Sequence, residues 1–355
     1  MIQVLYEKWR KSDISEKSTG DLVDMDQLDK RHMLVQSVPM AALISLRGLL
    51  LRAVRQFMEK ESCLEVTIPT ITSLTGACED FSTLFSLDYF GKRAFLTQTA
   101  QLHLEPLIHS QLLRRVYSIN HSYRAEPRVD HRHLTEFLLI EMEIGFGDLE
   151  TLIGIEERLL MSLIKTALES CSIELNILGA DVTRLQAIVP PFRRLTYTQA
   201  IEQLKQLDME IGWGDDLDQK SELALLEWAA SPLFITHYPL ELKFFNMRQN
   251  RENAGLVNAV DLLLPGVGEI CGGAEREEDP ERLRTRLMNS SAIKHVLANG
   301  GSAQDYEWYL QLRELDSIPY AGFGMGFERL VQFIISSPSC LNCTEYPRNS
   351  LHYAP

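Results

Sequence analysis

A chain of 355 residues, 45% hydrophobic and 24% charged, has the length for one large or two ordinary domains and enough apolar residues for a substantial core. A formal net charge of −14 argues against a general nucleic-acid binder, whose surface is basic, although a local basic groove is compatible with it. Six cysteines are too sparse for a disulfide scaffold, and no apolar run reaches membrane-spanning length, so the composition describes a cytoplasmic protein with reduced thiols.

Residues 1–38 are polar and weakly periodic and read as an N-terminal arm. After Pro39, the residues Leu43, Leu46, Leu50, Val54 and Phe57 fall on one stripe, which predicts a long amphipathic helix. "CLEVTIPTIT" follows as a predicted strand, with Pro69 at an edge or a strand end. "STLFSLDYF" and "RAFLTQTAQL" predict strands on either side of Gly91, and 114–146 predicts a hairpin. Asp148 then caps a helix over "LETLIGIEERLLMSLIKTALES". Beyond a mixed, proline-bearing stretch at 172–196, short helices are expected near 197–207 and 219–230. Strands return at "PLFITHYP", "ELKFFNMRQ" and "GLVNAVDLLL", followed by a helix near 304–314 and a strand-to-helix joint in "GFGMGFERLVQFII". Hairpins interspersed with long helices predict an α+β domain with a largely antiparallel sheet.

Three stretches carry chemistry. In an extended strand alternate side chains share a face, so Arg124 and Glu126 point one way, and on the returning strand His133, Phe137, Glu141 and Glu143 share one parity. With Arg128, His131 and Arg132 in the connecting loop, a cation, an imidazole, an aromatic plate and carboxylates gather on one patch, which suits a purine nucleotide with a phosphate tail. A hairpin turning symmetrically about Pro265 sets Asp261 opposite Glu269. Facing like charges destabilise a sheet unless something positive lies between them, and Mg²⁺ carrying nucleotide phosphates suits hard oxygen ligands. The plainer alternative is that one or both acids face solvent. Gly322, Gly324 and Gly326 precede a helix containing Arg329, which makes a phosphate site or simply permits tight helix–sheet packing. Cys340 and Cys343 form a lone C-x-x-C and read as ordinary thiols.

Taken together, "LRAVRQFMEKESCLEVTIP", "YRAEPRVDHRHLTEF" and "GFGMGFERL" resemble, in order, the three motifs of the class II aminoacyl-tRNA synthetase catalytic domain, in its aspartyl/asparaginyl subgroup. "CED", "TAQLHLE", "GEICGGAERE" and the closing "YPR" extend the likeness over about residues 40–348. The resemblance implies the class II synthetase catalytic fold, an antiparallel sheet flanked by helices over 39–355, and ATP and Mg²⁺ as cofactors. Carried over by position, it implies that Arg124 holds the α-phosphate and Phe137 stacks on adenine. His133 and Arg329 would meet the γ-phosphate, with Glu126 by the adenine end, and Arg124 and Arg329 would be the catalytic residues. Asp261 and Glu269 would hold Mg²⁺. Glu79 and Gln101 match positions that bind the amino acid's α-ammonium, and Arg276 matches the reader of its side-chain carbonyl. Glu105 stands where asparagine-type relatives carry glutamate and aspartate-type relatives carry lysine, so the pocket looks asparagine-like. A homodimer built on the helix before Pro69 is implied as well.

The sequence departs from the family in lacking room within 38 residues for the anticodon-binding barrel that precedes the core. Asp80, Asn246 and the ending "YPRNSL" are smaller departures. The expectation is therefore an adenylate-forming ligase for asparagine or aspartate that hands the acyl group to a non-tRNA acceptor. That acceptor would be ammonia, as in the archaeal-type asparagine synthetase, or a small amine, thiol or carrier. tRNA binding is expected to be weak. The alternatives are a minimal asparaginyl-tRNA synthetase reading only the acceptor stem, or an inactive regulatory paralog.

Overall fold

The structure, a computed structural model, describes residues 28, 30–74, 81–110, 112–298, 301–315 and 317–354. Glu79 and Asp80 lie outside the described residues. Of the expected arm, the part nearest the helix is packed rather than free. Arg31 is buried, and its guanidinium donates to the carbonyls of Thr344 (2.8 Å) and Glu345 (2.7 Å), tying this segment to the far end of the chain.

Eleven strands among the described residues make two sheets. The larger has the order β1-β5-β6-β11-β10-β9-β8-β7, from β1 (Leu64–Glu65), β5 (Arg115–Tyr123), β6 (Glu136–Gly145), β7 (Arg193–Thr196), β8 (Leu233–Pro239), β9 (Leu256–Leu264), β10 (Gly268–Glu275) and β11 (Tyr320–Gly326). Its neighbours run antiparallel except at the two edges, where β1 and β7 lie parallel to β5 and β8. A small antiparallel sheet joins β2 (Ile71–Thr72), β4 (Lys92–Leu96) and β3 (Ser86–Tyr89). The principal helices are α1 (Val38–Lys60), α2 (Gln101–Ile108), α3 (Leu149–Ser170), α4 (Tyr197–Gln206), α5 (Gln219–Ala229), α6 (Pro280–Asn289), α7 (Glu307–Leu315) and α8 (Phe327–Ile335).

The expected leucine stripe of α1 is buried, and Ser37 caps the helix by accepting from the Met40 N–H. Asp148 caps α3 in the same way through the Thr151 N–H. Both helices pack on one face of the large sheet, in a single core that takes in Ile140, Met142 and Ile144 of β6 and Val260, Leu262 and Leu264 of β9. The period of two then sends Phe137, Leu139, Glu141 and Glu143 to the other face, which carries the cavity.

Three sequence expectations are corrected here. "CLEVTIPTIT" forms two short strands rather than one, because Pro69 interrupts the ladder between them. "ELKFFNMRQ" forms a 3₁₀ turn (Leu240–Leu242) and isolated bridges, with its carbonyls at Phe244 and Met247 taken by the Arg286 guanidinium instead of a neighbouring strand. The β9–β10 pairing is not symmetric about Pro265: Glu269 lies opposite Leu263, and Asp261 lies opposite Gly272, with a bulge between Glu269 and Cys271.

Candidate active site

Side chains from the open face of the large sheet and from the loop 124–135 line a cavity of about 310 Å³. It draws together Gln101, Arg124, Glu126, His133, Phe137, Asp261, Glu269, Arg276 and Arg329 from stretches far apart in the chain. Glu105 is not among the lining residues, and it is fully buried.

One end carries cations and an aromatic ring. The Arg124 N–H donates to the Thr135 carbonyl at 2.9 Å, so the β5–β6 pairing continues one residue past the strands and fixes Arg124 beside Phe137. The guanidinium carbon stands 5.0 Å from the Phe137 ring centroid, and the ring rests on Leu134, Cys340 and Leu341. Cys340 thus serves as packing against this wall, and burial pushes its thiol up to about 12. The loop is held by Asp130, which accepts from the Arg132 and His133 N–H groups at 2.8 and 3.0 Å and takes His133 Nδ1 at 2.8 Å. Burial alone would raise this carboxyl, but those donors outweigh it and hold Asp130 below the ordinary range. With Nδ1 committed, the other face of the His133 ring turns to Glu126, 3.7 Å from Nε2. Arg329, in the first turn of α8, donates to the Glu269 carbonyl at 2.8 Å, and Arg132 pairs with Glu222 at 3.3 Å.

The glycines before α8 divide their tasks. A Cβ at Gly322 would overlap the Glu143 carboxylate, so this glycine makes room for a buried acid, whereas one at Gly324 would meet Glu141 only at an ordinary 3.6 Å. Gly326 has space around it and opens on the cavity beside Arg329.

The β9–β10 bulge brings two carboxylates together that a symmetric hairpin would have placed face to face. A Cβ at Gly272 would meet Glu269 Oε1 at 3.1 Å and Asp261 Oδ1 at 3.4 Å, so both acids converge over this glycine. Burial, then the negative charge of Asp261, raises the Glu269 carboxyl. Two convergent hard oxygen donors, with room for phosphate oxygens and water, fit Mg²⁺ arriving with a nucleotide. Among the described residues no group of three or more His, Cys, Asp or Glu side chains is arranged as a closed metal cage. Lys243 Nζ lies 2.7 Å from Asp261 Oδ2.

The opposite end is acidic. Arg276 pairs with Glu143 at 2.6 Å, and burial pushes the Glu143 carboxyl up against that guanidinium's pull. Glu141 accepts from the Ala100 N–H at 2.7 Å and from the Thr99 hydroxyl. Glu105 lies behind Gln101, accepting from its Nε2 at 2.6 Å, from Arg313 at 2.7 Å and from the Tyr320 hydroxyl at 2.6 Å. Burial opposes its charge, and Arg313 and Arg276 outweigh burial, so the Glu105 carboxyl is held low. The Glu105 carboxylate, held low, with Glu141 and Glu143 near it, gives this end oxygen acceptors that suit a primary ammonium. Sequence reasoning missed Lys243, Arg313 and Tyr320. Lys243 sits in a stretch expected to be a strand, and the other two act across more than 200 residues of chain.

A largely antiparallel sheet flanked by helices, with a cavity arginine-rich at one end and acidic at the other on one face, defines the class II synthetase type of adenylate-forming ligase. The chain belongs to the tRNA synthetases class II (D, K and N), whose family profile matches residues 24–350. It is 38% identical over 322 residues to the asparagine–tRNA ligase of Thermococcus gammatolerans, covering 90% of this chain and 72% of that one. With the Thermococcus kodakarensis asparagine–tRNA ligase the identity is 37% over 332 residues, covering 93% and 74%. Asparaginyl-tRNA synthetase from Pyrococcus horikoshii, complexed with asparaginyl-adenylate, superimposes with a TM-score of 0.87 at 35% identity, covering 94% of this chain and 74% of that one. The Entamoeba histolytica asparaginyl-tRNA synthetase in complex with asparaginyl-adenylate gives 0.82 at 30%, covering 94% of this chain and 73% of that one.

Proposed function

We propose that the protein activates asparagine with ATP, releasing pyrophosphate, and transfers the asparaginyl group to the 3′ end of a tRNA. The observation that carries this reading is the cavity's polarity: Arg124, Phe137, His133 and Arg329 at one end, Gln101 and Arg276 at the other. The asparagine α-carboxylate attacks the α-phosphorus in line, forming the acyl–phosphate bond as the bond to pyrophosphate breaks. A carboxylate is already a nucleophile, so no general base is needed. Arg124 holds the α-phosphate oxygens as charge builds on them, while Phe137 carries the adenine, with Glu126 beside it. His133 and Arg329 hold the far phosphate. When bound at Asp261 and Glu269, Mg²⁺ neutralises phosphate charge. Gln101 and Glu79 take the α-ammonium, and Arg276 donates to the side-chain carbonyl.

The asparagine–tRNA ligases among the relatives weigh for tRNA over the acceptors expected from the sequence. Labelled asparagine with ATP, Mg²⁺ and tRNA should give acid-precipitable asparaginyl-tRNA. Labelled aspartate with ammonia should give no asparagine. Formation of asparagine without any charged tRNA would replace this reading with the asparagine synthetase.

The protein acts as a homodimer in this proposal. Ala41, Ile44, Gly48, Leu51 and Arg55 form a second, partly exposed stripe on α1, and Leu64 is exposed on the edge strand beside it. Sedimentation as a monomer at micromolar concentration would remove the dimer. No helix among the described residues is long and apolar enough to cross a membrane, and a cytoplasmic setting belongs with the same proposal.

A further inference from the structure

Lys243 follows the 3₁₀ turn Leu240–Leu242 and reaches into the cavity, its side chain only 18% exposed. Its ammonium sits 2.7 Å from Asp261 Oδ2 and 3.9 Å from the centroid of the Tyr238 ring. A buried ammonium held between a carboxylate and an aromatic face is well satisfied, and leaving that place has a cost. The carboxylate it holds is one of the two that converge over Gly272.

We infer that Lys243 is a resident counter-cation of the Asp261–Glu269 pair, competing with a divalent metal for Asp261 and so coupling metal loading to the arrival of nucleotide. The inference rests on the proposed metal role of those two acids. Lys243 holds Asp261 Oδ2, while Oδ1 is the oxygen that converges with Glu269 over Gly272, so a metal about 2.1 Å from Oδ1 would share one carboxylate with the ammonium. Two cations drawn that close would repel each other. Lys243 and a metal therefore compete for the negative charge of one carboxylate, and each weakens the other's hold on it. Metal alone offers the weakened ammonium nothing in return. A triphosphate does, because its oxygens can accept from Lys243 while they complete the metal's coordination. Metal and nucleotide then favour each other's binding by the same factor, as linkage requires.

The test is Mn²⁺ binding to the full chain, read from the loss of the free-ion electron paramagnetic resonance signal, with and without a non-hydrolysable ATP analogue. Without nucleotide, Lys243→Met should bind Mn²⁺ at least ~10-fold more tightly than wild type, the scale of one buried charge interaction. Lys243→Arg, which keeps the charge, should stay within about threefold of wild type on the same scale. Adding the analogue should tighten Mn²⁺ binding more in wild type than in Lys243→Met. Unchanged or weaker nucleotide-free binding in a Lys243→Met protein that melts like wild type would overturn the inference. Lys243→Gln provides the same comparison should the methionine variant melt early. Asp261→Asn separates the two claims. If it leaves Mn²⁺ binding with the analogue intact, the metal assignment fails; if it abolishes that binding while Lys243→Met changes nothing, only the role of Lys243 fails.

Discussion

Arg313 places its guanidinium 2.7 Å from a Glu105 carboxylate oxygen, and neither side chain has any exposed surface. Glu105 in turn holds Gln101, which does line the cavity. Arg313 therefore acts on the acidic end of the cavity, the proposed amino-acid pocket, through two intermediaries. Removing one partner of a buried pair strands the other charge, at a cost of ~3–5 kcal/mol. Arg313→Met should lose stability on that scale in denaturant titrations and should raise the KM for asparagine. Adding Glu105→Gln removes the stranded charge and should restore part of the stability, giving a coupling of about 1–3 kcal/mol in a double-mutant cycle. Strict additivity would show that the pair is not coupled.

Arg124 is fixed beside Phe137 by the continued β5–β6 pairing, and its task in this account is to hold the α-phosphate. Arg124→Ala should lower asparagine-dependent exchange of pyrophosphate into ATP at least ~30-fold, the scale of a lost charge-assisted contact at a transition state. Circular dichroism and melting temperature should stay near wild type. Retained exchange in a folded variant would remove Arg124 from the chemistry.

Glu222 of α5 faces Arg132 at 3.3 Å and accepts from the Glu269 N–H at 3.3 Å. Burial first, and the Glu269 charge second, push its carboxyl up to about 7 against the pull of Arg132. The folded protein therefore keeps a proton that the unfolded chain, with a glutamate pKa of about 4.3, has already released. The stability from this proton is full below about pH 4 and is lost as the pH rises through about 7. Glu222→Gln stays neutral throughout. Relative to wild type, it should gain on the order of 1–3 kcal/mol between about pH 5 and pH 8. Unfolding curves at the two pH values measure this, and parallel profiles would place the titration elsewhere.

Periodic elements were legible in the sequence because one short-range pattern sets each of them. The leucine spacing after Pro39 and the Asp148 cap gave α1 and α3, and the parity of β6 set Glu141 and Glu143 on the cavity side with Phe137. Where two patterns competed, the reading failed. "TQTAQL" continued a strand pattern, yet the chain turns into α2 at Gln101, with Pro106 tolerated in its last turns. Helix α6 went unread although Asp279–Pro280 is a helix-start signal, with Asp279 accepting from the Arg282 N–H. The bulge at Glu269–Cys271 has no signature of its own in the sequence, so the pairing of Asp261 and Glu269 was expected for the wrong geometric reason. Lys243, Arg313 and Tyr320 were invisible for another reason: their partners are fixed by tertiary packing, which spacing along the chain does not encode.

In the proposed function the acidic end of the cavity admits asparagine and excludes aspartate. Glu141 and Glu143 line that end and Glu105 lies behind Gln101, so an aspartate side chain would set a further carboxylate among these acids. A site built on opposed polar contacts can discriminate against a mispaired analogue by up to ~10⁴-fold. The direct measurement is pyrophosphate exchange kinetics with each amino acid in the presence of ATP and Mg²⁺. The account expects kcat/KM for asparagine to exceed that for aspartate by at least ~100-fold, with the ratio falling in Glu105→Lys. Exchange supported equally well by aspartate, or by neither amino acid, would contradict it.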